Sequence, residues 1–340
     1  MKAAVVSEPG KLEIWDIAMP EIGPYDALCR ISFGSTCAGT DLHLIDGKHP
    51  FPVSFPTILG HESVGRVVEV GSKVRNLKPG DLVSRVGCPS GTQSGLGSNW
   101  GGFAEYGIAK DHWQMQKDGV PRPKWNRSRV NQLIHPRIDE RTAPMIITWR
   151  ETLSYSKRIG VSAGKQVLLI GSGGNALSFA AHACNLGASV TAVGSGKREE
   201  TFRKLPIRSY CNYRSEHLTE EVRDLMSGAS FDILLDCVGN SATVNQMIPL
   251  LCRDASIGVY GWDDRPGYGL NPFAASASFR VYADGYDEAE TNSEVQEIIL
   301  GGRLKADLWY DPSHPLPLLK IAEAYQNLRF HKAFKYLIQL

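Results

Sequence analysis

Between Lys165 and Val193 the chain reads KQVLLI, GSGGNA, LSFAAHACNLG and SVTAV. These are a buried-strand run, a glycine-rich turn, a short helix ending at Gly187 and a second strand. So short a passage from strand through helix to strand is a βαβ unit. FDILLDCVG and ASIGVYG further along read as more strands of the same parallel sheet. The turn matches G-x-G-x-x-G/A through Gly171, Gly173 and Ala176. The first glycine permits the tight turn, the second lets backbone approach a pyrophosphate, and the third small residue lets the helix pack on the strand. The helix then opens with unpaired N–H groups facing the phosphates. A dinucleotide site is therefore expected at Gly171, Gly173, Gly174, Asn175 and Ala176.

The rest of the chain has another texture. Residues 1–110 are short alternating segments such as ALCRISF and GRVVEV, broken by Gly and Pro, which reads as a small antiparallel β domain. The pattern changes near residue 150, and 340 residues are too many for one compact core, so two domains are expected. The tail offers a helix at LLKIAEAYQNLR and a last strand at FKYLIQL. Residues 115–130, basic and Pro-containing without a clean period, read as a surface loop. A net charge of +1 gives no electrostatic footprint for nucleic acid or an anionic membrane. The start, MKAAVVSEPGKLEIW, lacks the apolar core of a signal peptide, and no run approaches the roughly 20 apolar residues of a membrane span. The expectation is a cytoplasmic protein. Its seven scattered cysteines suit reduced core thiols.

The stretch LGHESVGRVVEVGSKV, residues 59–74, sets His61 and Glu62 between glycines, just before a strand-like alternation. Alone, the pair reads as a polar turn. It stands, however, in an ordered series: CAGTDLH at 37–43, GHESVGRVVEVGSKV at 60–74, LKPGDLV at 77–83, GGFAEYG at 101–107, GVSAGKQVLLIGSGG at 160–174 and KAFKYLIQL at the end. On these motifs the sequence resembles the zinc-dependent medium-chain alcohol and polyol dehydrogenases over nearly its whole length. The resemblance implies an α/β chain with a GroES-like β-rich catalytic domain plus a Rossmann doubly wound parallel sheet. The first would be residues 1–150 completed by 286–340, and the second 151–285, with the active site in the cleft between them. It also implies a homodimer or homotetramer.

The resemblance further implies one catalytic zinc, with Cys37 and His61 as ligands and Glu62 as a third or exchanging one. A zinc with an open position holds an alcohol oxygen and lowers its pKa, and hydride passes to the nicotinamide. Two departures bear on this site. The family usually has one residue between the cysteine and the relay hydroxyl, whereas Ala38 and Gly39 both separate Cys37 from Thr40. Counting back from GTDLH puts Ala38 on the ligand position; counting forward from ALCRISF puts Cys37 there, which is preferred because a Gly-containing loop absorbs an insertion. Thr40 is then the proton-relay hydroxyl, with His43 further along. Second, gapless counting puts Ile147 where the family carries its remaining ligand. Glu151, one helical turn later, could reach the site if the helix is shortened or shifted, or could face the nicotinamide. The family's structural-zinc lobe of four cysteines is reduced to Cys88, so no second zinc is expected.

The second strand of the βαβ unit ends in GSGKRE, with Gly194 where NAD-binding units carry an acid for the ribose hydroxyls. Gly194 leaves room, Ser195 offers a hydroxyl and N–H groups, and Lys197 and Arg198 bring positive charge. This is similar to NADP-dependent members of the family, and CNYR at 211–214 nominates Tyr213 on the adenosine side. The expected activity is a zinc- and NADP(H)-dependent hydride transfer between an alcohol, polyol or sugar and its carbonyl. The alternative is a zinc-free NADPH-dependent reductase of a C=C, C=N or quinone substrate. Trp100, Trp113, Trp149 and Trp262 are candidate pocket aromatics.

Overall fold

Buried β-branched and leucine runs organise both halves of the chain. A computed structural model of the protein describes residues 1–263, 267–282 and 284–340. It divides into two compact units, one made of Met1–Arg150 with Glu288–Leu340, the other of Glu151–Asp287.

The second unit is a six-stranded sheet of Gln166–Ile170, Ser189–Gly194, Ser209–Asn212, Phe231–Asp236, Leu251–Val259 and Phe279–Tyr282. Every pairing is parallel, and across the sheet the strands lie third, second, first, fourth, fifth, sixth in chain order. That is the doubly wound order, with its crevice at the carboxyl ends of the first and fourth strands. The first strand is central because VLLI is buried on both faces; Val167 pairs with Val190 on one side and Ile233 on the other. Leu168, Phe231, Leu234, Val244, Met247 and Ile257 fill one face of the sheet. The glycine turn leads directly into helix Gly174–Asn185.

In the first unit the long strand Asp26–Ser35 is the organiser. It pairs antiparallel with Glu62–Val70, Tyr106–Lys110 and the C-terminal Leu337–Gln339. The last of these sets Leu337 opposite Ser35, so the tail completes a sheet begun some 300 residues earlier. Alternation along these strands turns Ile31 and Val67 into one buried cluster with Val83 of the neighbouring strand Leu82–Ser84. A second sheet joins Lys2–Glu8, Lys11–Asp16, Thr57–Ile58 and Gly97–Ser98. Helix Met145–Ile159 runs unbroken across the unit boundary. Its Trp149 is core, edge-on to Trp309 at 5.4 Å between ring centroids, which removes it from the candidate pocket aromatics. The stretch expected as a plain loop at 115–130 contains two 3₁₀ turns, Arg122–Lys124 and Asn126–Val130, with Trp125 Nε1 donating to the Val120 carbonyl at 2.8 Å. Among the described residues no helix is long and apolar enough to cross a membrane.

Candidate active site

Gly60 has φ of +100°, and a Cβ there would stand 2.5 Å from the Phe103 ring and 2.7 Å from its backbone nitrogen. Only glycine suits that corner, and it delivers His61 into the interior. Glu62 opens the next strand directly opposite Ser35, the last residue of Asp26–Ser35. Cys37 lies two residues beyond Ser35. The potential ligand atoms of Cys37, His61 and Glu62 all lie within 4.8 Å of one another, and all three residues are buried. Among the described residues this is the one group of three or more Cys, His, Asp or Glu so arranged. The structure thus brings Cys37, rather than Ala38, to this cluster.

Asp41, buried on the short helix Thr40–Ile45, fixes the imidazole. Its Oδ1 accepts from His61 Nδ1 at 3.0 Å, leaving Nε2 on the cluster side, 3.7 Å from Glu62 Oε1. The other oxygen, Oδ2, accepts the Cys37 N–H at 2.9 Å and the Tyr325 hydroxyl at 2.6 Å. Burial alone would push the imidazole pKa down, but the Asp41 charge and hydrogen bond outweigh it and hold it well above the ordinary range. Burial works upward on Asp41, and the His61 charge with the three hydrogen bonds brings it below the usual carboxylate value. A carboxylate on the far nitrogen is the arrangement that sets the tautomer of metal-binding histidines.

Glu62 is held from every side. Lys335 Nζ donates to both of its oxygens at 2.6 Å, Thr148 Oγ1 to Oε1 at 2.9 Å, and Ser35 Oγ to Oε2. Lys335 is buried; desolvation lowers its pKa, but the Glu62 charge prevails and the net direction is upward. Sequence reasoning assigned no role to Asp41, Thr148, Tyr325 or Lys335. A usable signal existed for the last: a lysine between Phe334 and Tyr336 in the strand-like FKYLIQL needs a buried partner.

The other expected residues are dispersed. Thr40 opens its helix, partly buried, and His43 Nδ1 lies 2.7 Å from the Gly39 carbonyl oxygen. Ile147 is fully buried and offers no donor atom. Glu151 belongs to the second unit, where its Oε2 accepts the Tyr260 hydroxyl at 3.0 Å. Cys88 is buried, its Sγ 3.9 Å from Thr92 Oγ1.

In the second unit Gly171 has φ of +126°, with Cys237 Cβ and Val238 Cγ2 only 3.1 and 3.3 Å from where a Cβ would stand. Gly173 caps the helix and has open space beside it, while Gly174, Asn175 and Ala176 form the first turn. Ala176 is packed against the Gly171 position at 3.5 Å. One expectation is corrected: Gly194 does not leave room on its side-chain side. A Cβ there would lie 2.4 Å from the Tyr210 hydroxyl and 2.7 Å from Ser172 Cβ. The Ser195 N–H is already spent on Ser172 Oγ at 3.1 Å, and the Tyr210 hydroxyl donates to the Ser195 carbonyl at 2.7 Å. Beyond this lock a short turn, Gly196–Arg198, presents Lys197 exposed and Arg198 half-buried. Tyr213 is exposed, bonded through its N–H to the Gly194 carbonyl at 3.0 Å, and its hydroxyl accepts from Arg214 Nε at 2.9 Å.

Two family models match the chain: "Alcohol dehydrogenase GroES-like domain" over residues 23–119 and "Zinc-binding dehydrogenase" over residues 173–283. Among similar proteins, L-threonine 3-dehydrogenase of Streptomyces avermitilis is 31% identical over 284 residues, covering 77% of each chain. L-galactonate-5-dehydrogenase of Escherichia coli K12 is 24% identical over 335 residues, covering 96% of this chain and 95% of that one. The solved alcohol dehydrogenase of Thermus sp. ATN1 superimposes with a TM-score of 0.81 at 24% identity, covering 100% of both chains.

Proposed function

The chain belongs to the zinc-type medium-chain dehydrogenase/reductase family, and from that premise we propose that it interconverts a secondary alcohol or polyol and the matching carbonyl with one zinc ion and NADP(H). The observation that carries this reading is the convergence of Cys37, His61 and Glu62 within 4.8 Å. A thiol, an imidazole with its far nitrogen fixed by a carboxylate, and a carboxylate oxygen form a donor set suited to zinc. When bound, the zinc supplies Lewis-acid polarisation of the substrate oxygen and the nicotinamide accepts or gives hydride. The chain's own residues do the rest. Cys37 and His61 hold the ion, and Asp41 keeps Nε2 turned to it. Lys335 balances the charge of Glu62, which serves as the third or exchanging donor. Thr40 and the half-buried His43, one turn along the same helix, carry the released proton outward. Glu151, set by Tyr260, serves the nicotinamide end of its own unit.

On the cofactor, Gly171, Gly173, Gly174, Asn175 and Ala176 receive the pyrophosphate at a helix N-terminus. The packing of Tyr210 and Ser172 around Gly194 supports NADP(H), because no carboxylate side chain fits where NAD-binding units place their acid. Lys197 and Arg198 follow as cations, with Tyr213 beside them. The relatives named above are dehydrogenases at position 3 of threonine and position 5 of galactonate, which supports a secondary alcohol.

A second reading has its own observation. Both Glu62 oxygens are already taken by Lys335, Ser35 and Thr148, and Ile147 adds no ligand, which favours a zinc-free reductase of a conjugated alkene, imine or quinone. Metal analysis separates the two. About one zinc per chain is expected, with Cys37→Ala and His61→Ala losing zinc and alcohol oxidation while NADPH titrations stay unchanged. Full turnover by zinc-free protein overturns the first reading in favour of the second.

A further inference from the structure

Among the described residues, five other than glycine have positive φ, and two of them, Arg85 at +61° and Trp100 at +64°, converge on His61. Residues with a Cβ adopt that backbone reluctantly, and it persists only where the surroundings over-determine it. Here they do. Arg85 N–H donates to Ser63 O at 2.8 Å, while on either side of Trp100 Asn99 N–H donates to Ile58 O at 3.0 Å and Gly102 N–H to Gly60 O at 2.7 Å, so Arg85 and the residues flanking Trp100 are bonded to the segment that carries His61. Arg85 Nη1 donates to the His61 carbonyl, and its guanidinium stands 5.7 Å from the Trp100 ring centre. The indole in turn lies 5.4 Å from the imidazole, tilted by 52°.

The charge of Arg85 is not on offer to a ligand. Its Nη2 pairs with Glu288 Oε1 at 2.5 Å, and both side chains are almost wholly buried. The surface this assembly presents is therefore the indole itself. Trp100 is 46% exposed, the one exposed tryptophan among the described residues. A large aromatic held rigidly and half in solvent beside a candidate metal ligand is an apolar platform.

We propose that Trp100 is a specificity-determining residue that selects alcohols carrying a ring, whose flat C–H face lies on the indole. This rests on the proposed function for the catalytic step itself. A pyranose or carbocyclic ring presents several C–H groups on one face at no torsional cost, whereas an open chain must freeze rotamers to do the same. The face is also uncharged, so it gives a carboxylate no partner of its own.

The test compares cyclohexanol and D-glucose with 3-hexanol and D-sorbitol on the zinc-loaded protein. Trp100→Gly removes the ring while suiting the left-handed backbone, so loss of fold does not confound it. Trp100→Phe keeps an aromatic face. In Trp100→Gly, kcat/KM for the ring-bearing alcohols should fall about three- to tenfold, through KM, with less than about twofold change for the open chains. Trp100→Phe should stay within about twofold on both. A loss confined to D-glucose assigns the face to sugars, and one confined to cyclohexanol assigns it to hydrocarbon rings. Equal losses in both classes, or none in either, overturn the proposal. If the wild-type protein oxidises none of the four, the function reading fails, and ring binding is still read from tryptophan emission. Cyclohexanol should change the wild-type signal and not that of Trp100→Phe, and no difference between the two overturns the proposal independently.

Discussion

Lys335 is the residue whose removal the structure makes most costly. Its ammonium touches both oxygens of Glu62 at 2.6 Å, and the two side chains are 2% and 3% exposed. Lys335→Met keeps the aliphatic stem but leaves the buried carboxylate hydrogen-bonded only to the Ser35 and Thr148 hydroxyls, with His61 Nε2 at 3.7 Å as its nearest cationic group. Breaking a buried pair on one side costs about 3–5 kcal/mol, whereas removing both charges together is often near neutral. For a unit of about 200 residues that single change lowers Tm by roughly 6–20 °C. The double variant Lys335→Met with Glu62→Gln should recover at least about 2 kcal/mol of the summed single losses, since glutamine still meets Ser35 and Thr148. Urea unfolding of metal-free protein gives the three values. The emission of Trp149 and Trp309, packed edge to face in the same unit, reports its melting. Two single changes that simply add would refute the reasoning, because they would show that the charges do not sense each other. Repeating the cycle with zinc present reads the carboxylate's role: a smaller Lys335→Met penalty marks Glu62 as a ligand.

Two further outcomes are expected. Arg198→Ala should weaken NADPH by about one to two orders of magnitude, the loss of one charge-assisted hydrogen bond, while NADH affinity changes by less than about threefold in a fluorescence titration; equal weakening of both would remove Arg198 from the phosphate site. Asp111, fully buried, caps helix His112–Lys117 through Gln114 N–H and also accepts from Arg75 N–H, Asn76 N–H and Asn76 Nδ2 at 2.7–2.9 Å. Burial works against its charge, but these donors outweigh it and depress the pKa. A depressed carboxylate contributes stability above its unfolded pKa and loses it as pH falls through the folded value. Asp111→Asn should therefore cost about 2 kcal/mol at neutral pH, with the gap closing below about pH 4; a gap that stays constant down to pH 3 would contradict the assignment.

What could be read from the sequence is what depends on near neighbours. VLLI before GSGG and SVTAV after a twelve-residue helix determine a parallel βαβ unit, because periodicity and glycine turns act over a few residues. Alternation in residues 1–110 gave the β-rich class for the same reason, and six ordered motifs gave the family. The glycine before His61 likewise announces a sharp corner.

The site's wiring was not legible, because its partners are distant in sequence. Thr148 reaches Glu62 across 86 residues, Lys335 across 273, and Tyr325 reaches Asp41 across 284. The Cys37-or-Ala38 ambiguity was a one-residue question that local counting left open. Strand register decides it, since Ser35 stands opposite Glu62 and fixes where the following residues lie. The space expected beside Gly194 is filled by Tyr210, whose strand pairs Ala192 with Tyr210 two residues before it pairs Gly194 with Asn212. Glycine in a sequence says only that a side chain is missing; what occupies the place is decided by the neighbouring strand. Sequence alone determined which elements form and which chemistry they carry. Tertiary structure decided which side chains share a buried volume, because that depends on strand register and on closing loops hundreds of residues long.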